Sequence, residues 1–113
     1  MESSQTGRRK SKNSILGALV LNDSDNVATA ARQVAADEEI LVHSPSGSSN
    51  LTISEFIDTG HKIALTNIRD GEPIIKFGEV IGEATKEIES GDHVHTHNMK
   101  SLHGRPIKPR ARN

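Results

Sequence analysis

Three histidines alternate near the carboxyl end of the chain, at His93, His95 and His97 in the stretch "SGDHVHTHNMKS". Side chains of an extended strand leave the backbone alternately on its two faces, so this spacing predicts a strand with three imidazoles on one face. Imidazole acts as a metal ligand and as a general acid or base near neutral pH. The same pattern also fits an exposed, polar strand end with incidental histidines, and both interpretations stay open at this point.

The spacing of these histidines suits a metal ion held by two of them. Histidines at positions i and i+2 of a strand reach one ion because their side chains start about 7 Å apart. Three on one straight strand do not all reach it comfortably, so among the predicted ligands His93, His95 and His97 we expect at least two to face a metal or substrate, with other ligands from a partner or ligand oxygen. The chain has no cysteine, and a nitrogen and oxygen site favours iron(II) or manganese, with zinc as a further candidate.

The composition indicates one small domain with a modest core. The chain has 113 residues, of which 33% are hydrophobic, and its two aromatic residues are Phe56 and Phe77. The absence of cysteine excludes disulfides and thiolate metal sites and fits a reducing compartment. The apolar run from residue 15 to residue 21 is too short to cross a bilayer. We therefore expect a cytoplasmic protein without a membrane partner.

The net charge of −1 conceals a segregation of charge along the chain. Nine of the fourteen Lys and Arg residues lie in segments 1–14 and 100–113, whereas residues 15–99 carry five basic and fourteen acidic side chains, a balance of −9. This pattern predicts an acidic folded domain over 15–99, a disordered basic tail over 1–14 and a flexible basic tail over 100–113. Because no aromatic residues or reading motif accompany the tails, nucleic acid is not expected as a partner.

A spacing of apolar and turn residues recurs in three places. A small residue is followed by an aliphatic residue four positions on, by glycine or aspartate seven on, and by an aliphatic residue ten on. The three copies are Ala30–Val34–Asp37–Ile40, Ala64–Ile68–Gly71–Ile74 and Ala84–Ile88–Gly91–Val94. Glycine tolerates the left-handed backbone conformation that tight turns need. Each copy therefore predicts an inward-facing aliphatic residue, a turn, and a short strand.

These units predict a mostly β domain of short strands and tight turns, with one or two short helical segments. The alanine-rich "DNVATAARQVAA" is the candidate helix, capped by Asp25 or Asn26. The polar sequence of residues 44–50 predicts an exposed hairpin loop. Pro73 is expected to be the first residue of a strand, where its missing N–H costs little.

Three motifs in order, "GHKIAL", "GEPIIKFG.VIG.A" and "G.HVHTHN", closely resemble the small N-terminal SAF domain of the altronate and galactarate dehydratases. The resemblance covers about residues 15–99 and implies a β-clip fold. It also implies a hydro-lyase that removes water from a sugar acid, such as altronate or galactarate, to give a 2-keto-3-deoxy acid with a divalent metal.

In this family the module is either fused to a larger catalytic domain or separate from it, and the present chain resembles the stand-alone small subunit. The resemblance thus implies a large catalytic dehydratase subunit and a sugar-acid substrate as partners, and it leaves a homo-oligomer open. The chain is not expected to be active alone. Small subunits of sulfolactate sulfo-lyase are similar too, which leaves the departing group open. The alternative is a stand-alone β-clip module that binds carbohydrate or assists assembly without catalysis.

Dehydration beside a carboxylate needs a base, an acid or metal for the departing hydroxyl, and cationic groups for the developing enolate. We predict His95 and His97 to be catalytic. The predicted substrate-binding residues are His61, Lys62, Lys76 and Asn98. The structural alternatives are a turn-capping histidine at 61, solvated lysines at 62 and 76, and a turn residue at 98. We interpret His43 and His103 as surface residues.

Overall fold

The computed structural model describes residues 14–102, and within this range the chain forms strands joined by turns and bends. The strands are β1 (Leu16–Leu19), β2 (Val27–Ala30), β3 (Glu39–Ser44), β4 (Gly47–Thr52), β5 (Lys62–Ala64), β6 (Pro73–Lys76), β7 (Glu79–Ala84), β8 (His93–Val94) and β9 (Met99–Ser101). No helix of the described residues is long and apolar enough to cross a membrane. His103 and most of the tails expected over residues 1–14 and 100–113 lie outside this range. Lys100 and Ser101, at the start of the second expected tail, belong to β9.

The strands form two sheets. The larger has the order β4-β3-β1-β2-β5-β8 and the smaller has the order β6-β7-β9. All neighbouring strands are antiparallel except β1 and β3, which are parallel. The mostly β prediction is confirmed, and the architecture is consistent with a small β-clip domain.

The helix expected in the alanine-rich segment is not formed. Val27–Ala30 is strand β2, which pairs with β1 on one side and β5 on the other. Val27 and Ala28 are both buried, in different hydrophobic clusters. Burial of successive residues on opposite faces suits a strand between two cores, and this packing overrides the weak helical preference of alanine.

The repeated unit is confirmed, and the structure adds a fourth copy, Ile53–Ile57–Gly60–Ile63, between the first two predicted ones. Each copy leads from a strand through a bend, an isolated bridge and a turn to the next strand, although in the copy beginning at Ile53 the first strand already ends at Thr52. The eighth residue of each copy has a positive φ angle: 69° at Asp37, 85° at Gly60, 90° at Gly71 and 91° at Gly91. The residues at the first, fifth and eleventh positions are buried in every copy. The repeat therefore supplies much of the core.

The copies pair reciprocally: the copy beginning at Ala30 pairs with the one beginning at Ile53, and the copy beginning at Ala64 pairs with the one beginning at Ala84. Isolated bridges join Val34 to Ile57 and Ile68 to Ile88. In each pair, the N–H of the eighth residue donates to the carbonyl of the partner copy's first residue. These bonds are Asp37 to Ile53 at 2.7 Å, and Gly60 to Ala30, Gly71 to Ala84 and Gly91 to Ala64 at 2.8 Å. Each pair is thus closely two-fold symmetric in its backbone bonding.

The core consists of two hydrophobic clusters, one for each pair of copies. The first cluster contains Ile40, Ile53, Ile57 and Ile63 together with residues of β1, β2 and β3. The second contains Ile68, Ile74, Ile88 and Val94 together with Met99 of β9. Strands β2 and β5 contribute to both clusters, because their successive side chains point to opposite faces.

Two local predictions are also confirmed by the strand pairing. Strands β3 and β4 form a hairpin, although only residues 45 and 46 lie between them, so the loop is shorter than the predicted 44–50 segment. Pro73 is the first residue of β6.

A four-histidine cluster as the candidate functional site

Four histidines from two distant segments of the chain lie together at one end of the larger sheet. His61 directly precedes β5, and His93 begins β8, which pairs with β5 through Ile63. The ring centroid of His93 lies 5.0 Å from that of His61, 5.2 Å from that of His95 and 5.4 Å from that of His97. His61 also stacks on His95, with centroids 4.9 Å apart and planes 10° apart. The structure therefore unites three histidines predicted from local spacing with one from a distant segment.

The prediction of a single strand over His93–His97 is wrong, although the rings do converge. Strand β8 contains only His93 and Val94, and residues 95–98 form a bend and a turn. The turn folds the backbone back so that His95 and His97 remain beside His93. A straight strand would have kept the rings of His93 and His97 apart, and the turn brings them together.

Asn98 holds this turn. Its side chain is 4% exposed, its Oδ1 accepts from the His95 N–H at 2.9 Å, and its Nδ2 donates to the His93 carbonyl at 2.8 Å. The Asn98 N–H donates to the His95 carbonyl at 3.0 Å. Both ends of the amide are therefore bonded to backbone, which favours the turn-residue interpretation over direct contact with a substrate.

The contact between His61 Nδ1 and His93 Nε2 spans 2.8 Å. One of these nitrogens must carry the proton and the other must accept it, so two imidazolium ions are disfavoured here. The pKa of His93 is lowered, first by burial and then by the neighbouring charges of His61, His95 and His97, with Glu55 opposing. The pKa of His95 is also lowered, by burial and then by His61, Lys62 and His97. Both rings are therefore neutral near pH 7 and able to accept a proton.

These lowered pKa values predict an acid-sensitive fold. Because folding favours neutral His93 and His95, their contribution to stability is complete above the unfolded pKa of 6.5 and is lost as the pH falls below it. We expect the melting temperature to fall between pH 7 and pH 5, and His93→Gln to flatten this dependence. Thermal unfolding monitored by circular dichroism measures it. A matched control, His43→Gln on the exposed part of β3, is expected to keep the wild-type profile, and an unchanged profile in His93→Gln would contradict the prediction.

Glu55 is a residue of the site that sequence reasoning missed. Its Oε2 accepts from the His93 N–H at 3.2 Å, and its charge opposes the lowering of the His93 pKa. The two residues belong to different copies of the repeat, and no local spacing indicates that they meet. The sequence signal for Glu55 is the repeat copy beginning at Ile53, which places this residue at a bend.

Lys62 adds positive charge beside the histidines, and Lys76 adds positive charge near Lys62. Lys62 is half-buried on β5, opposite Val94 of β8. Burial lowers the pKa of Lys62, and the charge of Lys76 lowers it further, while Lys76 itself lies over the Phe77 ring at 4.9 Å. The charge of Lys62 also reaches His95. This arrangement brings two positive charges close together in a domain that is acidic overall.

The histidines also offer nitrogen ligands for a cation. Because His93 Nε2 contacts His61 Nδ1 at 2.8 Å, ligands for an ion are expected from the other ring nitrogen of His93 and from His95 or His97. Over residues 14–102, no group of three or more His, Asp or Glu side chains is arranged to hold a metal ion. A metal at these rings would therefore need further ligands from a partner or a substrate.

The fold and the cluster define the class of protein: a small β-clip domain with an imidazole-rich end flanked by lysines. Residues 16–102 match the family described as the altronate/galactarate dehydratase SAF domain. The chain therefore belongs to this family, as its motifs predicted.

Relatives of two kinds share this domain. The altronate dehydratase of Bacillus subtilis is 35% identical over 81 residues, covering 72% of this chain and 16% of that enzyme. The altronate dehydratase of Escherichia coli is 39% identical over 77 residues, covering 68% of this chain and 15% of the enzyme. The (2R)-sulfolactate sulfo-lyase subunit alpha of Paracoccus pantotrophus is 41% identical over 61 residues, covering 54% of this chain and 91% of that subunit. The chain thus spans about a sixth of the dehydratases it matches.

Proposed function

We propose that this chain is the small subunit of a sugar-acid dehydratase, a hydro-lyase acting on altronate or galactarate, and that its histidines contribute to a site completed by a large subunit. The observation that carries the proposal is the convergence of four imidazoles beside Lys62. Membership of the dehydratase SAF family supports it. The similarity to a separate lyase subunit supports the subunit role. The cytoplasmic setting expected from the sequence stays a prediction.

The chemistry of the site can be assigned residue by residue. Lys62 and Lys76 attract the substrate carboxylate, since the charge of Lys62 reaches His95 and the charge of Lys76 reaches Lys62. His95, whose lowered pKa keeps its ring neutral near pH 7, and His97 accept or return a proton as the C–H and C–O bonds break. His61 holds His93 through the 2.8 Å contact. Asn98 acts by fixing the turn rather than by touching the substrate.

A divalent metal fits the same cluster. We propose iron(II) or manganese, with zinc as the alternative, held by His93 with His95 or His97 and by oxygen ligands from the partner or the substrate. When bound, such an ion supplies Lewis-acid stabilisation of a departing hydroxyl and of the developing enolate. Its remaining ligands are expected from outside residues 14–102.

Partial exposure of the cluster is the reason to expect a large subunit. His61, His93 and His95 are only partly buried and His97 is exposed, whereas catalytic sites that develop charge usually exclude water. A partner seated over this end would complete the enclosure. The isolated chain is therefore expected to show no turnover.

Reconstitution tests this proposal. The full chain and a large dehydratase subunit are assayed separately and together, with altronate, galactarate or (2R)-sulfolactate and ferrous iron. We expect the 2-keto-3-deoxy acid to form only when both are present. Full activity of the large subunit alone would contradict the catalytic role.

The third substrate tests a second candidate, a small subunit of a sulfo-lyase. The observation that favours it is the match over 91% of the sulfolactate sulfo-lyase subunit alpha. Sulfite release with the corresponding partner, without sugar-acid dehydration, would support this candidate. Binding of sugar acid by the chain, with no turnover in any mixture, would instead support the stand-alone β-clip module.

A further inference from the structure

The ninth residue of the repeat is acidic in three of its four copies. These residues are Glu38, Glu72 and Asp92. Each carboxylate accepts a hydrogen bond from the N–H three residues earlier: Ala35 at 3.0 Å, Arg69 at 2.9 Å and Glu89 at 2.9 Å. The acid thus caps its own turn, as aspartate and glutamate commonly do where backbone donors lack partners.

His61 occupies this ninth position in the remaining copy. The backbone turn there matches the others: the His61 N–H donates to the Asp58 carbonyl at 3.2 Å, and the preceding Gly60 has φ 85°. The side chain departs from the pattern, because it contacts His93 and stacks on His95. Among the hydrogen bonds within residues 14–102, none caps the Asp58 N–H in the way that the three acids cap theirs.

We propose that His61, which stands where the other copies have a turn-capping acid, positions His93 instead. We also propose that the fold is less stable with histidine than with a capping carboxylate at this position. The Nδ1 to Nε2 contact of 2.8 Å lets His61 fix which nitrogen of His93 carries the proton. The acids at the ninth position of the other three copies show that the turn itself favours a carboxylate there. The positioning purpose rests on the proposed function, whereas the loss of stability does not depend on it.

The stability part is tested with paired variants of the full chain. His61→Ala and His61→Glu both lose the ring contacts with His93 and His95, but only glutamate restores the capping bond. We expect His61→Glu to melt about 4–8 °C above His61→Ala, the shift that one net hydrogen bond gives in a domain of this size. Glu72→Ala, at the equivalent position of another copy, is expected to melt lower than wild type by a similar amount. Equal melting temperatures for both variants at 61, with a loss in Glu72→Ala, would overturn the proposal.

The positioning part is tested by the tautomer of His93, read from the nitrogen chemical shifts of its ring by NMR on the full chain. We expect one dominant tautomer in wild type and a mixture in both variants at position 61. An unchanged tautomer would overturn the positioning role. In the reconstituted complex, Glu72→Ala is expected to keep turnover and His61→Glu to lose it. If the complex proves inactive on every substrate, the proposed function fails while the melting and NMR results still decide this proposal.

Discussion

Replacement of His93 by alanine is expected to reduce turnover of the reconstituted complex at least about 100-fold, because the acid–base groups His95 and His97 pack against its ring and acid–base catalysis is worth about that much or more. His93 is the centre of the cluster, because its ring lies within 5.4 Å of the rings of His61, His95 and His97. Its removal leaves His61 without its hydrogen-bond partner and takes away a proposed metal ligand. The measurement is formation of the keto product, together with the metal content of the purified complex.

The matched control for this prediction is His43→Ala. His43 is exposed on β3 and pairs with Ser48 of β4, so its loss is expected to leave turnover and metal content unchanged. Size-exclusion chromatography checks that both variants still assemble with the large subunit. Wild-type turnover in a correctly assembled His93→Ala complex would show that the cluster has no part in the reaction.

Replacement of Gly91 by alanine is expected to destabilise the domain by about 3 kcal/mol. Gly91 has φ 91°, which costs roughly 1 kcal/mol or more for a residue with a Cβ, and the added Cβ would overlap the carbonyl oxygen of Thr52, which adds about 1–3 kcal/mol. Ser54 also donates to the Gly91 carbonyl through its N–H at 3.1 Å. The close approach of these segments brings Glu55 to His93, so the variant is expected to disturb the site as well. Urea unfolding measures the loss.

Gly71→Ala separates the two contributions. Gly71 holds the same repeat position with φ 90°, and a Cβ there would meet nothing within 4 Å. Its replacement is therefore expected to cost only the backbone term, about 1 kcal/mol. Equal losses in the two variants would show that the contact with Thr52 carries no cost.

The class of fold and its turns were predictable because they depend on local spacing. Glycine or aspartate recurs where each copy needs a left-handed residue, and Asp37, Gly71 and Gly91 all adopt positive φ. The aliphatic residues four and ten positions along each copy are buried as expected. A repeat makes such predictions robust, since each copy supports the others.

The errors arose where distant segments decide the local structure. The segment containing Val27 and Ala28 is a strand because two cores lie on either side of it. The chain turns after His93 because Asn98 bonds back to the backbone. The copy beginning at Ile53 does not fit the predicted spacing, because that spacing begins with a small residue and isoleucine is large. Residue spacing alone does not show that His61 meets His93 across 32 positions.

The strands shared between the two hydrophobic clusters have a consequence for how the domain unfolds. On β5, Ile63 packs in one cluster and its neighbour Ala64 in the other. Neither half can therefore melt without exposing apolar side chains of the other, and partial opening gains little chain entropy for the surface it exposes. The domain is accordingly expected to unfold as a single cooperative unit. A destabilising substitution far from the histidines would then also lower the stability of the structure around them.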